Sequence, residues 1–97
     1  MGIKVLEEIF FHKSFLDNGD IIDIKIEKVE RKKSYEEGIR YSLVYVRNGT
    51  NLVRFDNHNG EGHHKHINSK KVPYEFIDEW ALIGDFQNEL KKLNIRL

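Results

Sequence analysis

The chain has 97 residues, of which 39% are hydrophobic and 33% charged, and its sixteen basic and sixteen acidic residues cancel to a net charge of zero. A chain this short folds around one core and buries roughly 60–65% of its unfolded surface, so residues 1–97 read as a single domain with no separate cofactor-binding unit. The 11% aromatic content excludes a disordered tail, the lack of cysteine excludes disulfides and thiolate metal ligands, and the neutral charge removes the simplest argument for nucleic acid as a partner.

The first twenty residues carry no basic start, apolar run and small-residue cleavage site, and no run approaches the eighteen apolar residues of a membrane span. A cytoplasmic protein without a membrane segment is the expectation. The opening segment "VLEEIFFHKSFL" is ambiguous; its place before a turn makes Phe10–Leu16 a strand, preceded by a helical turn. Asp17-Asn18-Gly19-Asp20 supplies residues that tolerate positive φ in a tight hairpin turn. After it, Ile22, Ile24 and Ile26 alternate with Asp23, Lys25 and Glu27, the period-two pattern of a half-buried strand.

Lys32 to Gly38 is a polar connection, followed by Ile39, Tyr41, Leu43 and Tyr45 at period two. Asn48-Gly49 is a strong hairpin signal that returns the chain into "NLVRFD", Asn51 to Asp56. Pro73, the only proline, closes a loop beyond the histidine-rich segment. From Tyr74 the period changes: Phe76, Trp80, Ile83, Leu90 and Leu93, widened by Leu82 and Phe86, mark an amphipathic helix. Glu75, Asp78 and Glu79 in its first turns and Lys91 and Lys92 in its last complement the helix dipole. The expected class is α+β: an antiparallel meander of about four to five strands with the C-terminal amphipathic helix packed on one face.

Charge is unevenly placed. Lys25 to Lys33 holds five basic residues against two acids, His63 to Lys71 holds three lysines and three histidines with no acid, and Glu75 to Glu89 holds five acids with no basic residue. A basic, histidine-bearing face opposite an acidic helix follows if these are more than ordinary solvated surface.

The segment "RFDNHNGEGHHKH" concentrates His58, His63, His64 and His66 in nine residues at the end of the fourth strand. If "HHKH" is extended, His64 and His66 project to one face about 7 Å apart, with His63 and Lys65 on the other. Such a pair suits two chemistries. It can hold a divalent metal with Asp56 or His58 as a further ligand, leaving a place for water. Alternatively, one imidazole takes the proton of a ribose 2′-hydroxyl and the other protonates the leaving 5′-oxygen, while Arg54 or Lys65 stabilises the phosphorane. A solvated polar loop is the plainer reading, and spacing alone leaves the three open. Asp56 and Asn57 also suit a turn, and Asp56 suits the orientation of a histidine tautomer. "NGEG" lacks the lysine and following helix of a phosphate-binding loop, so Gly60 and Gly62 are read as giving a chain reversal. His12 is read as a surface or half-buried side chain, and Tyr41, Tyr45 and Trp80 as core or sheet-face residues in preference to a stacking platform.

"RFDN", then a glycine- and histidine-bearing spacer, then "HHKH", then a proline-aromatic step into a helix with "GDF" near its middle, resembles the TumE-like toxin family over about Tyr41 to Leu93. The spacer "HNGEG" is shorter than is usual in that family. The resemblance implies the toxin of a type II toxin–antitoxin system, with a small helix-turn-helix antitoxin as partner, RNA as substrate and a homodimer as an open arrangement. By position, Asp56, His64 and His66 match the family's most characteristic residues, and Arg54, Asn57 and His63 their flanks. The reading that follows is a metal-independent ribonuclease with catalytic His64, His66, Asp56 and Arg54, substrate contacts from Lys65, His63 and Asn57, and no cofactor. Its alternatives are a metal-dependent hydrolase and a non-enzymatic binding module.

Overall fold

A computed structural model describes residues 3–58 and 62–95. Six strands form one antiparallel sheet in strict chain order: β1 (Val5–Phe15), β2 (Ile21–Val29), β3 (Ile39–Arg47), β4 (Thr50–Asp56), β5 (His64–Ile67) and β6 (Lys70–Pro73). Among the described residues a single helix, α1 (Glu79–Lys92), follows and packs against β4. The expected α+β meander with a C-terminal helix is thus present, with two corrections to its edges.

The first is β1, which is extended from Val5 onward, with no helical turn before Phe10. Its β-branched and aromatic residues pair along most of β2, and that ladder overrides the weak helical pattern of "VLEEI". The second is β6. Asn68 and Ser69 both adopt positive φ (49° and 70°), the backbone of a tight two-residue hairpin turn, and Pro73 ends a strand instead of closing a loop. No glycine advertises this turn in the sequence. At the β3–β4 hairpin, by contrast, Asn48 and Gly49 take positive φ as their residue types foretell.

Strand alternation sorts the sheet into two unlike faces. One bears Ile22, Ile24 and Ile26, Tyr41, Leu43 and Tyr45, and Val53 and Phe55, paired across β2, β3 and β4, and it is sealed by Leu82, Phe86 and Leu90 of α1 and by Ile95. Asp78 caps α1 by accepting from the Ala81 amide at 2.7 Å, and Glu79, Lys91 and Lys92 suit the helix dipole. Glu75 and Phe76 lie before the helix. Phe76 still packs against the core, whereas Trp80 is 66% exposed. Two residues before Leu82, Trp80 stands about 200° around the helix from the buried stripe, so the core reading of Trp80 is corrected. The other face carries no helix and presents Lys25, Arg40, Ser42, Arg54 and His66.

Candidate functional site

The open face is polar because the same alternation that buries Leu43 and Phe55 turns their chain neighbours the other way. On β4, Arg54 and Asp56 flank buried Phe55; on β5, His64 and His66 flank Lys65. The register pairs Asp56 with His64 and Arg54 with His66, so residues about ten apart in sequence become cross-strand neighbours. The extended reading of "HHKH" holds, and Gly62 (φ 79°) bends the backbone into β5. Gly60, expected to share in that reversal, lies outside the described residues.

Asp56 is the hub. It is 3% exposed; one carboxylate oxygen accepts from Arg54 Nε at 2.5 Å and the other lies 2.6 Å from His64 Nε2. The second ring nitrogen of His64, Nδ1, lies 3.2 Å from the Gly62 carbonyl oxygen. The Asp56 contact is an ion pair when the ring is protonated, and the Gly62 contact is a hydrogen bond when Nδ1 carries a proton. His64 is itself 5% exposed, held by a carboxylate that Arg54 braces from the other side.

His66 differs. Its ring meets His64 edge to face at 5.0 Å between centroids, is half-buried, and makes no hydrogen bond to another described residue. Arg54 is partly exposed, and only its Nε is bonded among described residues, which leaves the terminal guanidinium nitrogens for an anion.

A third imidazole completes this face. His58, just after β4, lines a small concavity with Lys25, Glu27, Arg40, Tyr41 and Ser42. Burial holds its imidazole below the usual histidine range; Asp56 pulls in the opposite direction and Arg40 and Arg54 reinforce the depression. Sequence spacing ranked His58 only as an alternative metal ligand. Its signal was its nearness to the strand end, but the neighbours that give it character sit on β2 and β3. Glu27 and Arg40 are a cross-strand pair, with Arg40 Nε donating to Glu27 at 2.7 Å.

Three residues expected to contact the substrate are not brought to this cluster. Lys65 faces the helix side, where its ammonium donates to Glu89 of α1 at 2.7 Å and lies 5.9 Å from the Phe55 ring centroid. Burial raises the Glu89 carboxyl, but Lys65 and then Lys92 outweigh it and leave it below the usual range. His63 lies near-parallel to Phe76 (4.8 Å) and to Tyr41 (5.7 Å). Its Nε2 faces the Glu37 carboxylate at 2.9 Å and its Nδ1 the Tyr41 hydroxyl at 2.8 Å, so a neutral ring with the proton on Nε2 satisfies both. Asn57 is 3% exposed and accepts from the Tyr41 amide at 3.0 Å while donating to the Ile39 carbonyl at 2.8 Å. Strand alternation accounts for Lys65; His63 and Asn57 are drawn inward because buried backbone and phenol groups of β3 need partners. His12 is exposed on β1, as expected, and Tyr41 and Tyr45 are core.

Among the described residues, no three His, Asp or Glu side chains are grouped so as to hold a metal ion. No described helix is long and apolar enough to cross a membrane. Comparison with curated proteins and with solved structures yields no match. The family model described as Toxin TumE matches residues 4–94, from the residue before β1 to Asn94, two residues past the end of α1. That span takes in every strand, the helix and the open-face cluster, and the chain belongs to the TumE toxin family.

Proposed function

We propose that this toxin-family chain is the toxin of a type II pair, held in check by a helix-turn-helix antitoxin, and that it cleaves RNA without a bound metal on the open face of its sheet. The observation that carries this reading is the cross-strand square of Arg54, Asp56, His64 and His66, which sets a buried carboxylate–imidazole pair beside an unengaged imidazole and a partly exposed guanidinium. His66 takes the proton of the ribose 2′-hydroxyl as the new O2′–P bond forms. His64, anchored by Asp56 through Nε2, gives up the proton on Nδ1 to the 5′-oxygen as the P–O5′ bond breaks; its weak contact with Gly62 is the one surrendered. The products are a 2′,3′-cyclic phosphate and a free 5′-hydroxyl. Arg54 carries the charge that builds on the phosphoryl oxygens, and Asp56 positions both His64 and Arg54. Lys25 of β2, and Arg40 of β3 beside its partner Glu27, extend the basic surface across the strands to neighbouring phosphates.

Purified protein tested on RNA in excess EDTA decides the chemistry. The expected result is cleavage with cyclic-phosphate ends, lowered about 10²–10⁴-fold by His66→Ala. Cleavage that EDTA abolishes and a divalent cation restores would overturn the metal-free reading in favour of a hydrolase using His64, His66 and Asp56 or His58. Full growth inhibition by folded His66→Ala and His64→Ala variants would instead favour a binding module. Affinity for RNA should fall with salt at a log–log slope of about −2, as for three phosphate contacts to a single strand.

A further inference from the structure

The two edges of the sheet are built differently. β6 is four residues long, carries Lys70 and Lys71 and ends on Pro73, the devices that keep an edge from pairing. β1 has eleven residues, no proline or glycine, and, among the described residues, no strand on its outer side. Its large apolar side chains stand out on both faces: Val5, Leu6, Phe10, Phe11 and Phe15 are each 38–73% exposed. A long, apolar, unpaired edge is a template for another strand.

The order of charges on β1 says which strand. Reading "VLEEIFFHKSF", the acids Glu7 and Glu8 precede Phe10 and Phe11, and His12 and Lys13 follow them. Laid antiparallel against a copy of itself with the phenylalanines near the two-fold axis, the acidic half of each strand meets the basic half of the other. A parallel arrangement would set like against like. Opposite charges across a strand pair stabilise it and like charges oppose it, by up to about 1 kcal/mol a pair. The irregularities of β1 against β2 fall at Val5/Glu7 and Glu8/Phe10, within the acidic half, so the charge order fixes the polarity of the pairing and leaves its register to side-chain packing. We infer that β1 is the contact edge of an antiparallel two-fold dimer of this chain, with the two sheets continuous across the edge and Phe10 and Phe11 buried at its centre. A closed two-fold contact uses up both edges and so ends assembly at two copies.

Sedimentation of the full chain across a concentration series tests this. The wild type is expected to dimerise. The pair His12→Glu with Lys13→Glu, which opposes acid to acid, is expected to raise the dissociation constant tenfold or more, by the magnitude of about two such charge pairs. Glu7→Lys with Glu8→Lys should act alike, and mixing the two reversed proteins should restore a heterodimer, because each acidic half then meets a basic one. Circular dichroism of each variant confirms that the sheet is intact. A monomeric wild type overturns the inference, as does a dimer indifferent to either reversal. So does a monomeric toxin whose β1 reversals abolish only antitoxin capture, since the edge would then belong to the antitoxin.

Discussion

The covered and open faces of this sheet are made by the same strands and differ in almost every property. The covered face spends its side chains on exclusion of water: Tyr41, Leu43, Tyr45, Val53 and Phe55 are at most 1% exposed beneath Leu82, Phe86 and Leu90. The open face keeps charge, and where it buries charge it does so in pairs, Asp56 with His64 and Glu27 with Arg40. Each face depends on the other. A cluster of ionisable groups on β4 and β5 keeps its geometry because Phe55, between Arg54 and Asp56 in sequence, is locked by edge contacts with Tyr74 (5.0 Å) and Phe86 (5.9 Å) on the far side.

Substitutions separate the faces, and the largest effect belongs to the covered one. Phe86→Ala removes the ring that meets Phe55 and is expected to cost about 3–5 kcal/mol, read by urea denaturation, a large share of the about 5–15 kcal/mol that a domain of this size holds. Asp56→Ala acts on the open face and strands buried His64. A loss of about 3 kcal/mol in stability is expected, together with loss of RNA cleavage, and a variant as stable as the wild type would show that the pair does not hold the strand ends together.

Asn57→Ala should cost about 1–3 kcal/mol by stripping the Tyr41 amide and Ile39 carbonyl of their partner, while cleavage by the fraction that remains folded stays near wild type. A selective loss of activity would return Asn57 to the substrate. Lys65→Ala breaks a partly exposed ion pair with Glu89, so a change within about 1 kcal/mol and no change in the salt dependence of RNA binding are expected. A shallower salt slope would mean that Lys65 reaches RNA after all.

The smallest effect distinguishes the faces by pH. His58 has a depressed pKa in the folded state, so the unfolded chain takes up a proton first, and stability falls as pH drops below about 6.5. Asp20, beside the covered face, is also depressed, first by the hydrogen bond from Arg47 and then by that from Tyr45 at 2.5 Å. Its stabilisation is complete above about pH 3.9 and is lost as pH falls through the lower folded value. His58→Gln should therefore flatten the stability profile just below pH 6.5 and leave the acid limb unchanged, whereas Asp20→Asn should lower stability throughout the neutral range and flatten the acid limb.

Much of the fold was legible because it rests on local rules. Period two over Ile22–Ile26 and Ile39–Tyr45, the Asn48-Gly49 turn and the late helix each follow from residue type within a few positions. The Asn68-Ser69 turn was missed because neither residue needs positive φ until β5 and β6 pair. Trp80 was misplaced because a broad helical stripe fits several angular centres, and only packing into the sheet's core selects Leu82, Phe86 and Leu90.

The sequence by itself determined the α+β class, that His64 and His66 would share a face, and which family the chain resembles, because alternation and residue pattern are carried along the chain. Only the tertiary structure decided that Asp56 holds His64, that Lys65 turns to Glu89 and His63 to Tyr41, Phe76 and Glu37, and that His58 stands among charges from β2 and β3. Those outcomes depend on cross-strand register and on which face the helix covers, and both are settled by packing between segments that composition and spacing treat separately.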